Sequence, residues 1–142
     1  MHVRTVTHLN FNGNARAALA FYHQLFGGQQ VLVSYAQAGR SQEAIDPQHV
    51  IWGQVSDTEG NALLMAYDVQ AGVDWHPGQR AFFVSLRGDD EDTVRALWAG
   101  LADGGDVLQA LTASQWSPLY GMVRDRFGVT WVVDVQAPRS PQ

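Results

Sequence analysis

A chain of 142 residues that is 46% hydrophobic and only 16% charged has enough apolar mass for a sizeable core, and that balance excludes a natively disordered chain. Its net charge is −5, and the nine basic residues, all arginine, are scattered from Arg4 to Arg139 without a cluster. A phosphate-tracking surface is therefore excluded and nucleic acid is not an expected partner; the absence of cysteine excludes disulfides, thiolate metal sites and cysteine nucleophiles.

The opening MHVRTVTHLN lacks the apolar run of a signal peptide, and no stretch approaches the roughly 20 apolar residues needed to span a bilayer. The expectation is a soluble, cytoplasmic protein without a membrane partner. Leu9 and Phe11 alternate with Asn10 and Asn12, the period of a half-buried strand. Asn14 then stands where a helix N-cap belongs, and Ala18, Leu19, Phe21, Tyr22, Leu25 and Phe26 recur at three- and four-residue steps as an apolar stripe. Gly27-Gly28 ends the helix with a left-handed cap.

Residues 30–35, rich in valine, read as a second strand, and the polar stretch 36–48, with Gly39 and Pro47, as a loop. The apolar runs 49–56 and 61–67 flank Asp57-Thr58-Glu59-Gly60, a hairpin signal. Residues 69–80 form a connector. The pattern then returns: a strand over 81–86, a second helix whose stripe is Val94, Leu97, Trp98 and Leu101, and strands over 106–111, 119–125 and 129–135. The acidic run Asp89 to Asp92 sits where a helix dipole favours negative charge and lacks the alternating ligands of a calcium loop. One offset of 76 carries Phe21, Tyr22 and Leu25 onto Leu97, Trp98 and Leu101, and Val31-Leu32 onto Val107-Leu108. The chain is an internal duplication of a βαβββ unit, with repeats over 5–68 and 81–136 in a single domain.

The stretches 9–28 (LNFNGNARAALAFYHQLFGG), Trp116 to Gly121 (WSPLYG) and Asp125 to Trp131 (DRFGVTW) resemble the signature stretches of the PhnB-like branch of the glyoxalase/bleomycin resistance/extradiol dioxygenase superfamily, the vicinal oxygen chelate proteins. The resemblance covers nearly the full chain. It implies an α+β fold in which two βαβββ modules form curled mixed sheets around a cavity, often as a homodimer with modules exchanged between chains.

Metal-dependent members of this superfamily hold a divalent ion through imidazole, amide and carboxylate side chains on inner strand faces, a donor set that suits Zn, Ni, Mn or Fe. The resemblance puts the first such position at Thr7 or His8, with either one facing inward. It puts the second on Trp52, whose indole cannot ligate, and the last on Val132. By strand alternation His49 points away from Trp52, so it replaces it only through a bulge. Asp134 shares the face of Val132 and reads as a solvated strand-end carboxylate. No cofactor is therefore expected, and a divalent metal is disfavoured.

The same cavity then serves apolar and aromatic recognition, with Trp52, Trp116, Tyr120 and Phe11 as walls and His8, Asn10, Gln54 and Arg124 as polar groups that fix orientation. A small aromatic or amphipathic molecule is the expected partner. The alternatives are a metal-dependent lyase, isomerase or dioxygenase in which His8 contributes to catalysis, and a structural dimer with a filled pocket. His23 reads as a surface residue at the edge of the helix stripe, and His76, on the connector, as a cap at the cavity mouth. No G-x-S-x-G elbow, phosphate loop or G-x-G-x-x-G turn follows a strand. No nucleotide-cofactor motif therefore supports the methyltransferase names that some of these relatives carry.

Overall fold

Alternating apolar residues and well-marked turns build two similar units, whose boundary falls between Pro77 and Gly78. The computed structural model describes residues 3–137, so His2 and Arg139 lie outside the described residues. The first unit contains β1 (Thr7–Phe11), α1 (Ala15–Phe26), β2 (Gln29–Ser34), β3 (Val50–Ser56) and β4 (Ala62–Asp68). The second contains β5 (Val84–Gly88), α2 (Glu91–Ala102), β6 (Asp106–Thr112), β7 (Tyr120–Arg124) and β8 (Thr130–Val135). Each is a four-stranded mixed sheet with one helix: the orders are β1-β4-β3-β2 and β5-β8-β7-β6, with the β1–β4 and β5–β8 pairs parallel. The offset of 76 holds over the full length of the helices, since Ala15–Phe26 maps onto Glu91–Ala102.

In the first sheet the register sorts side chains cleanly, because strand neighbours share a face and alternate residues do not. Leu64, Ala66, Gly53 and Val55 face α1, where the Leu19 side chain sits so close to Gly53 that a Cβ there would lie 2.3 Å from Leu19 Cδ1. Leu19, Tyr22, Val50, Val55 and Leu64 form the core of this layer. Asn14 precedes α1 but its side chain makes no capping bond. The helix start is held instead by the buried Asp68 at the end of β4, which accepts the Gly13 N–H at 2.8 Å, the Ala15 N–H at 3.0 Å and the Val50 N–H at 2.9 Å. A tertiary carboxylate displaced the local cap, because Asp68 serves the helix terminus and the start of β3 together. In the second unit the cap is local: Asp90 accepts the Thr93 N–H at 2.9 Å and the Thr93 hydroxyl at 2.7 Å, as the acidic run predicts.

The duplication is sharpest in the two hairpins. Asp57 accepts N–H groups of Glu59 and Asn61, and Asp125 those of Phe127 and Val129, with the same pair of backbone bonds closing each turn. Gly60 and Gly128 occupy φ of +87° and +85°, the left-handed region where glycine carries no Cβ penalty. The second glycine after each helix has a different reason: a Cβ on Gly28 would lie 1.9 Å from the Ser56 carbonyl oxygen, and one on Gly105 2.3 Å from that of Arg124. Backbone meets backbone at both places, so the double glycine brings the helix exit against the hairpin as well as ending the helix.

The other strands whose bounds the sequence predicts agree within one residue, and the loop 36–48 holds one 3-10 turn, Ser41–Glu43. The strand expected over 81–86 instead begins at Val84. Val84 pairs with Trp131, so carrying β5 back to residues 81 and 82 would require partners at 128 and 129, which belong to the Asp125 turn. Phe82 is consequently 94% exposed.

Candidate functional site

Each sheet keeps one face that its helix does not cover. In the first sheet the register places His8 beside Met65, Met65 beside Gln54 and Gln54 beside Val31; one step along the strands lie Asn10, Tyr67, Trp52 and Val33. On β1, Thr7 pairs with the buried Leu64 on the helix side, and His8 lies on the helix-free side. His8 packs edge-on against Tyr67 with ring centroids 5.3 Å apart, and its Nδ1 donates to Asn10 Oδ1 at 2.8 Å. In the neutral imidazole Nε2 then keeps the lone pair. Gln54 donates to Ser56 Oγ at 2.9 Å. Around these polar groups Trp52 is 37% and Val31 50% exposed, an unusual amount of apolar surface for a sheet face.

The second sheet has the corresponding face. Ser85, Val132, Met122 and Gln109 form one row, and Arg87, Asp134, Tyr120 and Thr112 the next. Arg124 follows on the same side of β7, beside Thr130 and Asp106. Trp116, in the loop before β7, meets the Tyr120 ring edge-on at 5.1 Å. That loop is pinned by Ser114, whose Oγ accepts the N–H of Ser117, and by the buried Ser117 hydroxyl, which donates to the Val135 carbonyl. Arg87 Nε and Nη2 grip the two oxygens of Asp134 at 3.1 and 3.0 Å, and the hydrogen bond to this carboxylate raises the Arg87 pKa above its ordinary value.

His8, Asn10, Trp52 and Gln54 thus share one face of the first sheet. Tyr120 and Arg124 share the corresponding face of the second, with Trp116 against Tyr120. Phe11, expected as a wall, lies on the opposite side from His8: it is buried in register with Asp68, because odd positions of β1 face the helix. A bulge in β3 opposite Val33 and Ser34 does occur, yet the His49 ring lies against Gly13, 3.4 Å from where a Cβ would stand, at the turn into α1. His23 closes the end of α1, its Nε2 3.2 Å from the Gly28 carbonyl oxygen. His76 is exposed, and the neighbouring Trp75 donates instead to the Asn10 carbonyl at 2.9 Å. Asp134, expected to be solvated, is buried and ion-paired.

Met65, Tyr67, Trp75 and Arg87 were missed by sequence reasoning. Tyr67 and Arg87 follow only from the register, which pairs Tyr67 with Asn10 and Arg87 with Asp134. Trp75 carried no signal, because a connector has no periodicity.

The divalent ion that the fold family implies does not fit these donors. Beside His8 on its face stand thioether, amide, phenol and indole groups; Val132 is apolar, and both oxygens of Asp134 are engaged by Arg87. Among the described residues no group of three histidine, aspartate or glutamate side chains could hold a metal.

Residues 3–134 match the family model of 3-demethylubiquinone-9 3-methyltransferase. The chain is similar to protein PA1353 from Pseudomonas aeruginosa, with 31% identity and a TM-score of 0.83 over 95% of this chain and 98% of that one. It is 24% identical to protein YjdN of Escherichia coli strain K12, over 95% of this chain and 97% of that protein. The PhnB protein of Bacillus cereus, 23% identical over 94% and 99% of the two chains, shares the fold with a TM-score of 0.74. A glyoxalase/bleomycin resistance protein/dioxygenase family enzyme from Burkholderia phytofirmans PsJN, 16% identical over 93% and 97%, shares it with a TM-score of 0.62. With the duplicated βαβββ unit, its two paired hairpins and a family match over almost every described residue, this chain belongs to the PhnB-like 3-demethylubiquinone-9 3-methyltransferase family and has the fold of the glyoxalase/bleomycin resistance/dioxygenase superfamily.

Proposed function

We propose that this protein binds a small aromatic or amphipathic molecule on the helix-free faces of its sheets, without a resident metal. The observation that carries the reading is the first sheet's face, where the exposed Trp52 stands on β3 and the hydrogen-bonded His8 and Asn10 stand on β1. Such a surface offers stacking and apolar area together with a few fixed polar groups, the combination that small-molecule sites use. The reading favours binding over methyl transfer because no glycine-rich nucleotide cradle follows a strand in the sequence. The protein acts as a homodimer in the cytoplasm in this reading. Among the described residues no helix is long and apolar enough to cross a membrane.

Thermal-shift screening of an aromatic ligand library, run with chelator and with added Ni, Zn, Mn or Fe, tests the proposal. Saturable stabilisation that chelator leaves unchanged and that Trp52→Ala weakens supports it. Stoichiometric metal lost on His8→Ala would favour the lyase, isomerase or dioxygenase reading, and no ligand at all the structural dimer. Sedimentation tests the homodimer, and a clean monomer contradicts it.

A further inference from the structure

The two sheets differ in charge where the first strand of each unit pairs with the last. Asn10 on β1 pairs with Tyr67 on β4, both uncharged, whereas Arg87 on β5 pairs with Asp134 on β8. The side chain of Asp134 is 11% exposed and that of Arg87 60%, so the carboxylate belongs to the sheet and the guanidinium to the open face. An ion pair in such a setting is weak evidence of stabilisation, because desolvating the carboxylate offsets much of the attraction. It does fix the arginine. Of the five N–H donors on a guanidinium, Asp134 engages one on Nε and one on Nη2. Among the described residues the remaining donors, two on Nη1 and one on Nη2, form a planar fork whose rotamer is already set. Next to Asp134 in the register stands Tyr120, with Trp116 against its ring edge, and Met122 and Val132 form the adjoining row.

From this juxtaposition we propose that Arg87 is an oxyanion-recognition residue: the molecule bound by this protein is a small carboxylate with an aromatic or apolar body, its carboxylate on the outer edge of the Arg87 guanidinium and its body against Tyr120 and Met122. Asp134 is a positioning residue in this site. It holds the arginine in one orientation, so that little side-chain entropy is lost on binding, and its charge keeps the pair from attracting anions without selection. The inference rests on the small-molecule reading above and names the chemical class of the ligand.

The test uses the full chain and a panel of matched aryl and alkyl carboxylates and their carboxamides, followed by ligand-observed NMR and by the Arg side-chain N–H resonances. Carboxylates should bind at least ten-fold more tightly than their amides and shift the Arg87 N–H signals. Arg87→Met should abolish that preference, and Asp134→Asn should reduce it. Equal binding of carboxylates and amides, or carboxylate binding with the Arg87 signals unmoved, overturns this inference and leaves the small-molecule reading standing. Failure of both sets to bind overturns that reading as well. Since the wild-type comparison needs no variant, a failure of Arg87→Met to fold leaves the test intact.

Discussion

Asp68, the last residue of β4, accepts the backbone N–H of Ala15, the first residue of α1, at 3.0 Å across 53 positions of sequence. Its two oxygens also take the N–H groups of Gly13 and Val50, and its carbonyl takes the Tyr35 hydroxyl at 2.7 Å. One residue therefore ties a helix start, a strand start and a loop into the first unit. Burial, the main cause, and the neighbouring acids raise the Tyr35 pKa, so this phenol donates throughout the neutral range. Asp68→Ala should destabilise the chain by about 3 kcal/mol in denaturant titration, because two buried N–H groups and one part-buried N–H lose a charged acceptor. A cost below about 1 kcal/mol would show that water or rearrangement replaces it.

Asp125 accepts the Trp131 indole N–H at 2.9 Å besides the two N–H groups of its turn, and it is buried. Asp57, its repeat partner, has no such third donor from a core aromatic, and its turn is more exposed. Asp125→Ala should cost about 3 kcal/mol, and Asp57→Ala clearly less, in parallel unfolding experiments. Equal costs would mean that the turn, and not the buried indole, sets the value of the aspartate.

The carboxyls of Asp57 and Asp90 titrate below their ordinary 3.8. For Asp57 the main cause is the Asn61 backbone N–H, and for Asp90 the bond from Thr93. A lowered folded-state pKa means that folding favours the ionised form. The resulting stability is complete above the ordinary value and is lost as pH falls through the folded value. Thermal unfolding followed from pH 6 towards pH 3 should show this acid limb, and Asp57→Asn and Asp90→Asn should each make it shallower. An unchanged acid limb in both variants would contradict the assignment.

Gly121 on β7 lies under α2. A Cβ there would stand 2.9 Å from both the Leu111 Cα and the Trp98 ring, and 3.0 Å from the Gln109 carbonyl oxygen. Backbone cannot give way as a side chain can, so Gly121→Ala should cost about 2 kcal/mol by overpacking. Near-UV circular dichroism should report the displaced Trp98, and an unchanged spectrum with unchanged stability would contradict the packing.

The local grammar of this fold was legible in the sequence. Two helical stripes, two Asp-x-x-Gly turns and two double glycines announce the duplication, since each depends on neighbours a few residues away. Tertiary substitution was not legible. Nothing near Asn14 indicates that Asp68 will take over its capping role, and nothing near Asp134 that Arg87 will bury its charge, because both pairings depend on which strands become neighbours. The candidate site divides the same way. His8, Trp52 and Tyr120 came from the family resemblance, and the register puts each on a helix-free face; Phe11 lies on the opposite side of β1 from His8, and Tyr67 and Arg87 emerged only with the register.

If the helix-free sheet faces bind a small molecule without metal, binding there survives removal of every divalent ion. Backbone amide shift mapping of chelator-treated protein, during titration with the best ligand from the aromatic screen, tests it most directly. Saturable shifts concentrated at His8, Asn10, Trp52 and Gln54 and around Tyr120 are expected, with the helix-facing Leu64, Ala66 and Val123 unmoved. Shifts confined to the helix-covered side, or binding that appears only when a divalent metal is restored, would contradict it.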